Sequence, residues 1–127
     1  MYTEYLIEIT QYWPIVIILG FIGFKYYRTR VSRAEMNSLG DFQNVQLVDV
    51  RSEAEYSKYA LPLSINIPLQ VINSESKQLD KAAPVILFCA SGTRSAGAKQ
   101  ILKRQGFSKV INAGTIGNVQ SYLNSRD

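Results

Sequence analysis

The stretch Val85-Ile86-Leu87-Phe88-Cys89-Ala90-Ser91-Gly92-Thr93-Arg94-Ser95 decides the fold. Four apolar residues rise into the chain's single cysteine. A loop of small residues follows, then an arginine and a helix-forming run from Ser95 to Gln105. This pattern predicts a buried strand, a tight turn and a helix start. Backbone N–H groups in such a loop converge, and the helix N-terminus adds positive potential. Cys89 is therefore expected to be partly thiolate near neutral pH. Gly92 lets the loop take a backbone angle that other residues resist. Arg94 is the odd residue. A cation in the first turn of a helix opposes the dipole, so helix stability does not account for it, whereas an anionic ligand would. The competing reading of Cys89 is an inert buried thiol at a strand end.

Composition narrows the chemistry. The chain has 127 residues, a formal net charge of +4, one cysteine and no histidine. That length suits one domain with a modest core. A single cysteine excludes an internal disulfide and a cysteine-cluster metal site. The absence of histidine removes imidazole bases, histidine zinc ligands and Cys-His dyads. No metal or cofactor is expected. The excess charge is local: Lys25, Arg28, Arg30 and Arg33 sit together, and the remainder is close to balanced. No basic helix with interleaved aromatics follows, so no nucleic-acid partner is expected.

The first quarter reads differently. The uncharged run from Ile9 ends at Lys25, with aromatics on both sides: Tyr5, Tyr12 and Trp13 before, Tyr26 and Tyr27 after. About twenty apolar residues cross a bilayer, and aromatic belts mark both interfaces. Pro14 fits the first turn of a helix starting near Gln11. An acidic n-region and the lack of a small-residue cleavage site argue against a cleaved signal. A buried core helix is the alternative. The expectation is a single-pass anchor over residues 1–30, with its basic end and the domain at 31–127 on the cytoplasmic side.

Downstream, Ser32-Arg33-Ala34-Glu35 predicts a capping box opening a short helix that ends near Gly40. Val45 to Val50 reads as a strand. Ser52-Glu53-Ala54-Glu55 is a second capping box and predicts a helix after it. Ser64 to Ile67 reads as a strand stopped by Pro68. Leu69 to Ser74 gives a helical turn, and Ser74 to Ala83 a polar loop. After the cysteine loop and its helix, Gly106 ends the helix. Lys109 to Asn112 is a last strand, Ala113-Gly114 a turn, and Ile116 to Asn124 a closing helix. Strands alternating with helices imply an α/β fold: a mainly parallel sheet covered on both faces. Ligands of such sheets bind beyond the carboxyl ends of the strands, where both Cys89 and Asp49-Val50-Arg51 lie. Asp49 either orients the loop, pairs with a cation or is a satisfied strand-end carboxylate. Arg51 either lines the pocket mouth or is a solvated loop cation. Ser91, Thr93 and Ser95 either donate into the loop or cap the helix.

Cys89-Ala90-Ser91-Gly92-Thr93-Arg94 resembles the active-site loop of rhodanese-like sulfurtransferases: a cysteine, four loop residues and an arginine. The resemblance runs from about Ser32 to Asn124. It includes Leu47-Val48-Asp49-Val50-Arg51 with Glu55-Tyr56, Ile65-Asn66-Ile67-Pro68-Leu69, and Gly106-Phe107 leading to Val110-Ile111-Asn112-Ala113-Gly114. Members often carry Gly-His and a further Gly ahead of the Asn-Ile-Pro segment. Here those places hold Tyr59, Ala60 and Leu63, so that turn must be built differently. The usual aromatic near the closing helix is also missing around Ile116 to Gln120.

The resemblance implies thiosulfate sulfurtransferase activity. Cys89 would be the nucleophile, and Ala90, Ser91, Gly92, Thr93, Arg94 and Ser95 would hold a small anionic sulfur donor. A persulfide on Cys89 would pass its sulfur to a thiol or protein acceptor. Two rivals stand beside this. One is a membrane-tethered, non-catalytic binding module or sulfur relay. The other is a cysteine phosphatase or arsenate reductase, whose related loop carries five residues between cysteine and arginine rather than four.

Overall fold

The computed structural model describes residues 2–40 and 44–127. It begins with one long helix, α1 (Tyr2–Asn37). Then come β1 (Gln46–Asp49), α2 (Glu53–Lys58), β2 (Ser64–Asn66), the short α3 (Ile72–Glu75) between two 3₁₀ turns, β3 (Val85–Cys89), α4 (Thr93–Arg104), β4 (Val110–Thr115) and α5 (Ile116–Asn124). The four strands form one parallel sheet in the order β2-β1-β3-β4.

β3 lies inside the sheet and is buried along its whole length. Its side chains alternate between two cores, as the pleat requires. Val85, Leu87 and Cys89 face a core with Ala98 and Leu102 of α4, Ile72 and Phe107. Ile86 and Phe88 face the other, with Met36, Leu39, Ile111, Val119 and Tyr122. Coverage on both faces is why the strand reads as an unbroken apolar run. Each of these fully buried large side chains contributes roughly 1.5–3 kcal/mol of apolar burial.

α1 belongs to both halves of the chain. An 18-residue stretch of it has a mean hydropathy of 1.6 and none of it is buried. Its C-terminal turns cover the sheet: Met36 is fully buried, and the Tyr122 hydroxyl donates to the Met36 carbonyl at 3.0 Å. This differs from the expectation of two helices. The helix runs through residue 30 unbroken, Pro14 lies inside it, and Ser32 caps nothing. The run from Lys25 to Asn37 holds no glycine or proline to stop it. The Ser32 hydroxyl instead donates across to the Asn112 carbonyl at 2.8 Å.

The capping box at α2 forms as expected, with Ser52 and Glu55 satisfying each other's backbone N–H groups. Two loop expectations are corrected. The polar stretch after Ser74 completes a helical turn and a 3₁₀ turn. Ala113-Gly114 is not a turn but part of β4, where the register shifts opposite Leu87 and Phe88. Gly114 takes φ +81° there, and its N–H donates to Asn112 Oδ1 at 2.9 Å. The turn before β2 puts Leu63 in the left-handed region, at φ +65°.

Candidate active site

Cys89 is the last residue of β3, and its neighbours on the loop are arranged by the start of α4. Gly92 precedes the first helical residue with φ +93°, a conformation that favours glycine. This bend turns the Gly92 N–H back onto the Cys89 Sγ, at 2.9 Å. Ser95, one turn into the helix, is fully buried with its hydroxyl 3.6 Å from the same sulfur. That hydroxyl has one proton and three acceptors in reach: Cys89 Sγ, Gly92 O at 3.1 Å and Asn112 Oδ1 at 2.7 Å.

Cys89 has no exposed surface. Burial pushes its thiol up, but the Ser95 hydroxyl and the N–H groups of Ser95, Ser91 and Gly92 oppose this and prevail. The result is a pKa below the ordinary thiol value. Hydrogen bonds to the charged form, rather than a neighbouring base, favour the thiolate.

The other expected loop residues divide. Ala90, Ser91 and Thr93 are exposed, with Ser91 Oγ 3.4 Å from Thr93 Oγ1. Ser95 alone of the three hydroxyls reaches the sulfur. Arg94 is half-buried and has a protein partner. Its two terminal nitrogens donate to Glu55 Oε1 and Oε2, at 2.6 and 3.0 Å. The Arg94 guanidinium is the main reason that the Glu55 carboxyl is lowered to about 2, with Ser52 helping. The charge of Arg94 is thus balanced within the chain. Nothing in the sequence flagged Glu55 for this role, because its capping box already explained it.

Asp49 and Arg51 direct their hydrogen bonds to each other and to the Tyr59 carbonyl rather than to the sulfur. Asp49 is fully buried and accepts from Arg51 N, Nε and Nη2 at 2.9, 3.0 and 2.7 Å. Arg51 also donates to the Tyr59 carbonyl at the end of α2. Of the alternatives for Asp49, the structure shows the paired one. Arg51 is not a solvated cation: it is buried, 8% exposed, and fastens β1 to α2. Together they position the helix that carries Glu55. No group of metal-ligating side chains occurs among the described residues.

Comparison with known proteins identifies the family. A family model described as the rhodanese-like domain matches residues 32–114. A sulfurtransferase of Allochromatium vinosum is 34% identical over 74 residues, which cover 58% of this chain and 69% of that protein. The thiosulfate sulfurtransferase PspE of Escherichia coli is 32% identical over 84 residues, 65% of this chain and 81% of the relative. A solved structure described as rhodanese with anions from E. coli superposes with a TM-score of 0.56 at 31% identity, covering 59% of this chain and 91% of that one. With its parallel sheet, its cysteine-to-arginine loop and these relatives, the chain belongs to the rhodanese-like sulfurtransferase family.

Proposed function

We propose that this protein carries sulfane sulfur from thiosulfate, or a similar small sulfur oxyanion, to a thiol acceptor through a persulfide on Cys89, while α1 anchors it in a membrane. The observation that carries this reading is the hydrogen-bonded sulfur of Cys89, with the Gly92 N–H at 2.9 Å and a lowered pKa. The thiolate attacks the outer sulfur of thiosulfate. A Cys89 S–S bond forms, the donor's S–S bond breaks, and sulfite leaves with the electron pair. The persulfide anion keeps one negative charge, which the loop N–H groups stabilise. An acceptor thiolate then attacks the outer sulfur, forms a new persulfide and returns Cys89 as thiolate. No proton transfer is needed, so a chain without histidine suffices.

Arg94 and the loop from Ala90 to Ser95 hold the donor in this scheme, by charge-assisted hydrogen bonds. Four residues between Cys89 and Arg94 favour this over phosphate-ester hydrolysis. The apolar stretch of α1, exposed throughout, favours a single span. Lys25, Arg28, Arg30 and Arg33 at its C-terminal end favour a cytoplasmic domain.

Intact mass spectrometry after exposure to thiosulfate tests the chemistry. One added sulfur on the native protein, none on Cys89→Ser, and sulfite release in step with acceptor consumption are expected. Loading without turnover on small thiols would point to a relay to a protein acceptor. Loading that survives Cys89→Ser would defeat the reading. Carbonate extraction and protease access in membrane vesicles test the anchor and its orientation.

A further inference from the structure

Arg28 reaches the cysteine loop from outside the residues the family model matches. A Cβ built on Gly92 would lie 3.1 Å from Gly114 Cα and 3.5 Å from Arg28 Nη2. The loop, β4 and α1 therefore meet at one point. Arg28 is half-buried, on a helix otherwise exposed over its preceding described turns. It lies over the Phe24 ring at 5.7 Å, and Lys25 lies over Phe21 at 5.6 Å. Neither Lys25 nor Arg28 forms an ion pair with a carboxylate among the described residues.

Between these cations and the loop lies a cleft of about 200 Å³. Phe24, Lys25 and Arg28 form one wall, and Ser91, Thr93 and Thr115 supply hydroxyls opposite. No Asp or Glu is among the described residues that line it. Arg94, the cation inside the loop, is balanced by Glu55. The uncompensated positive charge facing the loop is thus contributed by α1.

We infer that Arg28, with Lys25 beside it, is a donor-binding residue that holds a small sulfur oxyanion at the loop. This rests on the sulfur-transfer reading and adds to it a role for the N-terminal helix. The helix both tethers the domain and completes its anion site. Each cation supplies charge-assisted hydrogen bonds that a neutral substitute lacks. The Phe24 face beneath Arg28 lowers local solvation, which strengthens the attraction.

Sulfate, an unreactive oxyanion, separates binding from chemistry. The Gly92 amide resonance of the full chain in detergent is followed during a sulfate titration at constant ionic strength. Saturable shifts are expected, with the half-saturating concentration raised about tenfold in Arg28→Gln. Arg28→Lys should recover much of the loss. Arg30→Gln, whose guanidinium lies over Tyr26 at 5.1 Å, should titrate as the native chain does. The inference is overturned if Arg28→Gln binds like the native protein, if both glutamine variants weaken alike, or if the native shifts do not saturate. Sulfur loading of Cys89 by thiosulfate, weighed on the same samples, judges the sulfur-transfer reading separately.

Discussion

Arg94 donates to both carboxylate oxygens of Glu55, at 2.6 and 3.0 Å. The partners are 39 residues apart and sit on different helices. A donor dianion entering the loop must compete with this carboxylate for the same guanidinium. The pair is about one-third exposed on both sides, so water screens it and it opens at small cost. Glu55→Gln keeps the capping interaction at the third helical position and removes the competing charge. The half-saturating thiosulfate concentration should fall, by up to about fivefold, in single-turnover sulfur loading. An increase would mean that Glu55 aims Arg94 at the donor rather than competing with it.

Ser95 contributes to the lowered pKa of Cys89. It is the buried hydroxyl nearest the sulfur, and it favours the anion. Ser95→Ala removes that donor while Asn112 still accepts the Gly114 N–H. The pH midpoint for alkylation of Cys89 should move upward, because the thiol is favoured when a hydrogen bond to the thiolate is lost. Alkylation at neutral pH should slow accordingly. The native midpoint should lie below that of a free cysteine peptide. A midpoint unchanged in the variant would assign the lowering to the loop amides alone.

Glu55 makes a small, solvent-screened contribution to the acid side of the stability profile. Its carboxyl is lowered to about 2, chiefly by Arg94. A depressed folded value stabilises the native state above the unfolded carboxyl range, and the contribution is lost as pH falls through about 2. Between ordinary carboxyl values and that limit, native Glu55 stays ionised. An NMR titration of its side-chain carbonyl should show this, and Arg94→Gln should bring the midpoint back toward the usual glutamate value.

Much of this was legible because one signal served each element. The apolar run of β3, the second capping box and the closing helix from Ile116 to Asn124 all appear as read. The misses share a cause: an interaction with a distant residue outweighed a local signal. Ser32 has the sequence of a cap, but the helix continues through it and its hydroxyl serves Asn112. Ala113-Gly114 has turn composition, yet the strand absorbs it as a register shift. Arg94 is unexplained by its own helix, and its protein partner lies on α2. Arg51 looked like a loop cation because nothing local shows that Asp49 beside it is buried. In the sequence Arg28 reads only as one of four clustered basic residues, since its approach to Gly92 depends on how α1 meets the sheet.

Asp49 and Arg51 form the buried pair whose loss should cost most. Asp49→Ala would leave the Arg51 guanidinium buried with only the Tyr59 carbonyl to accept from it. Removing one partner of such a pair typically costs about 3–5 kcal/mol. Chemical denaturation should show a loss of that order. Replacing both residues with apolar ones should cost less, since no charge is stranded. If the single variant is nearly as stable as the native protein, water must reach Arg51.

Leu63 offers a gain instead. Its backbone lies at φ +65°, where a branched aliphatic side chain is strained, and the side chain is 94% exposed, so it contributes little packing. The left-handed conformation costs a residue with a Cβ roughly 1–2 kcal/mol. Glycine escapes that cost but loses about 0.5–1 kcal/mol through the greater freedom of its unfolded chain. Leu63→Gly should therefore stabilise the domain by up to roughly 1.5 kcal/mol, the difference between these terms. Its midpoint in urea should rise with an unchanged slope, and sulfur loading should be unaffected because the turn is remote from Cys89 in the sheet order. A fall in stability would show that the freedom glycine adds to the unfolded chain outweighs the backbone strain it relieves.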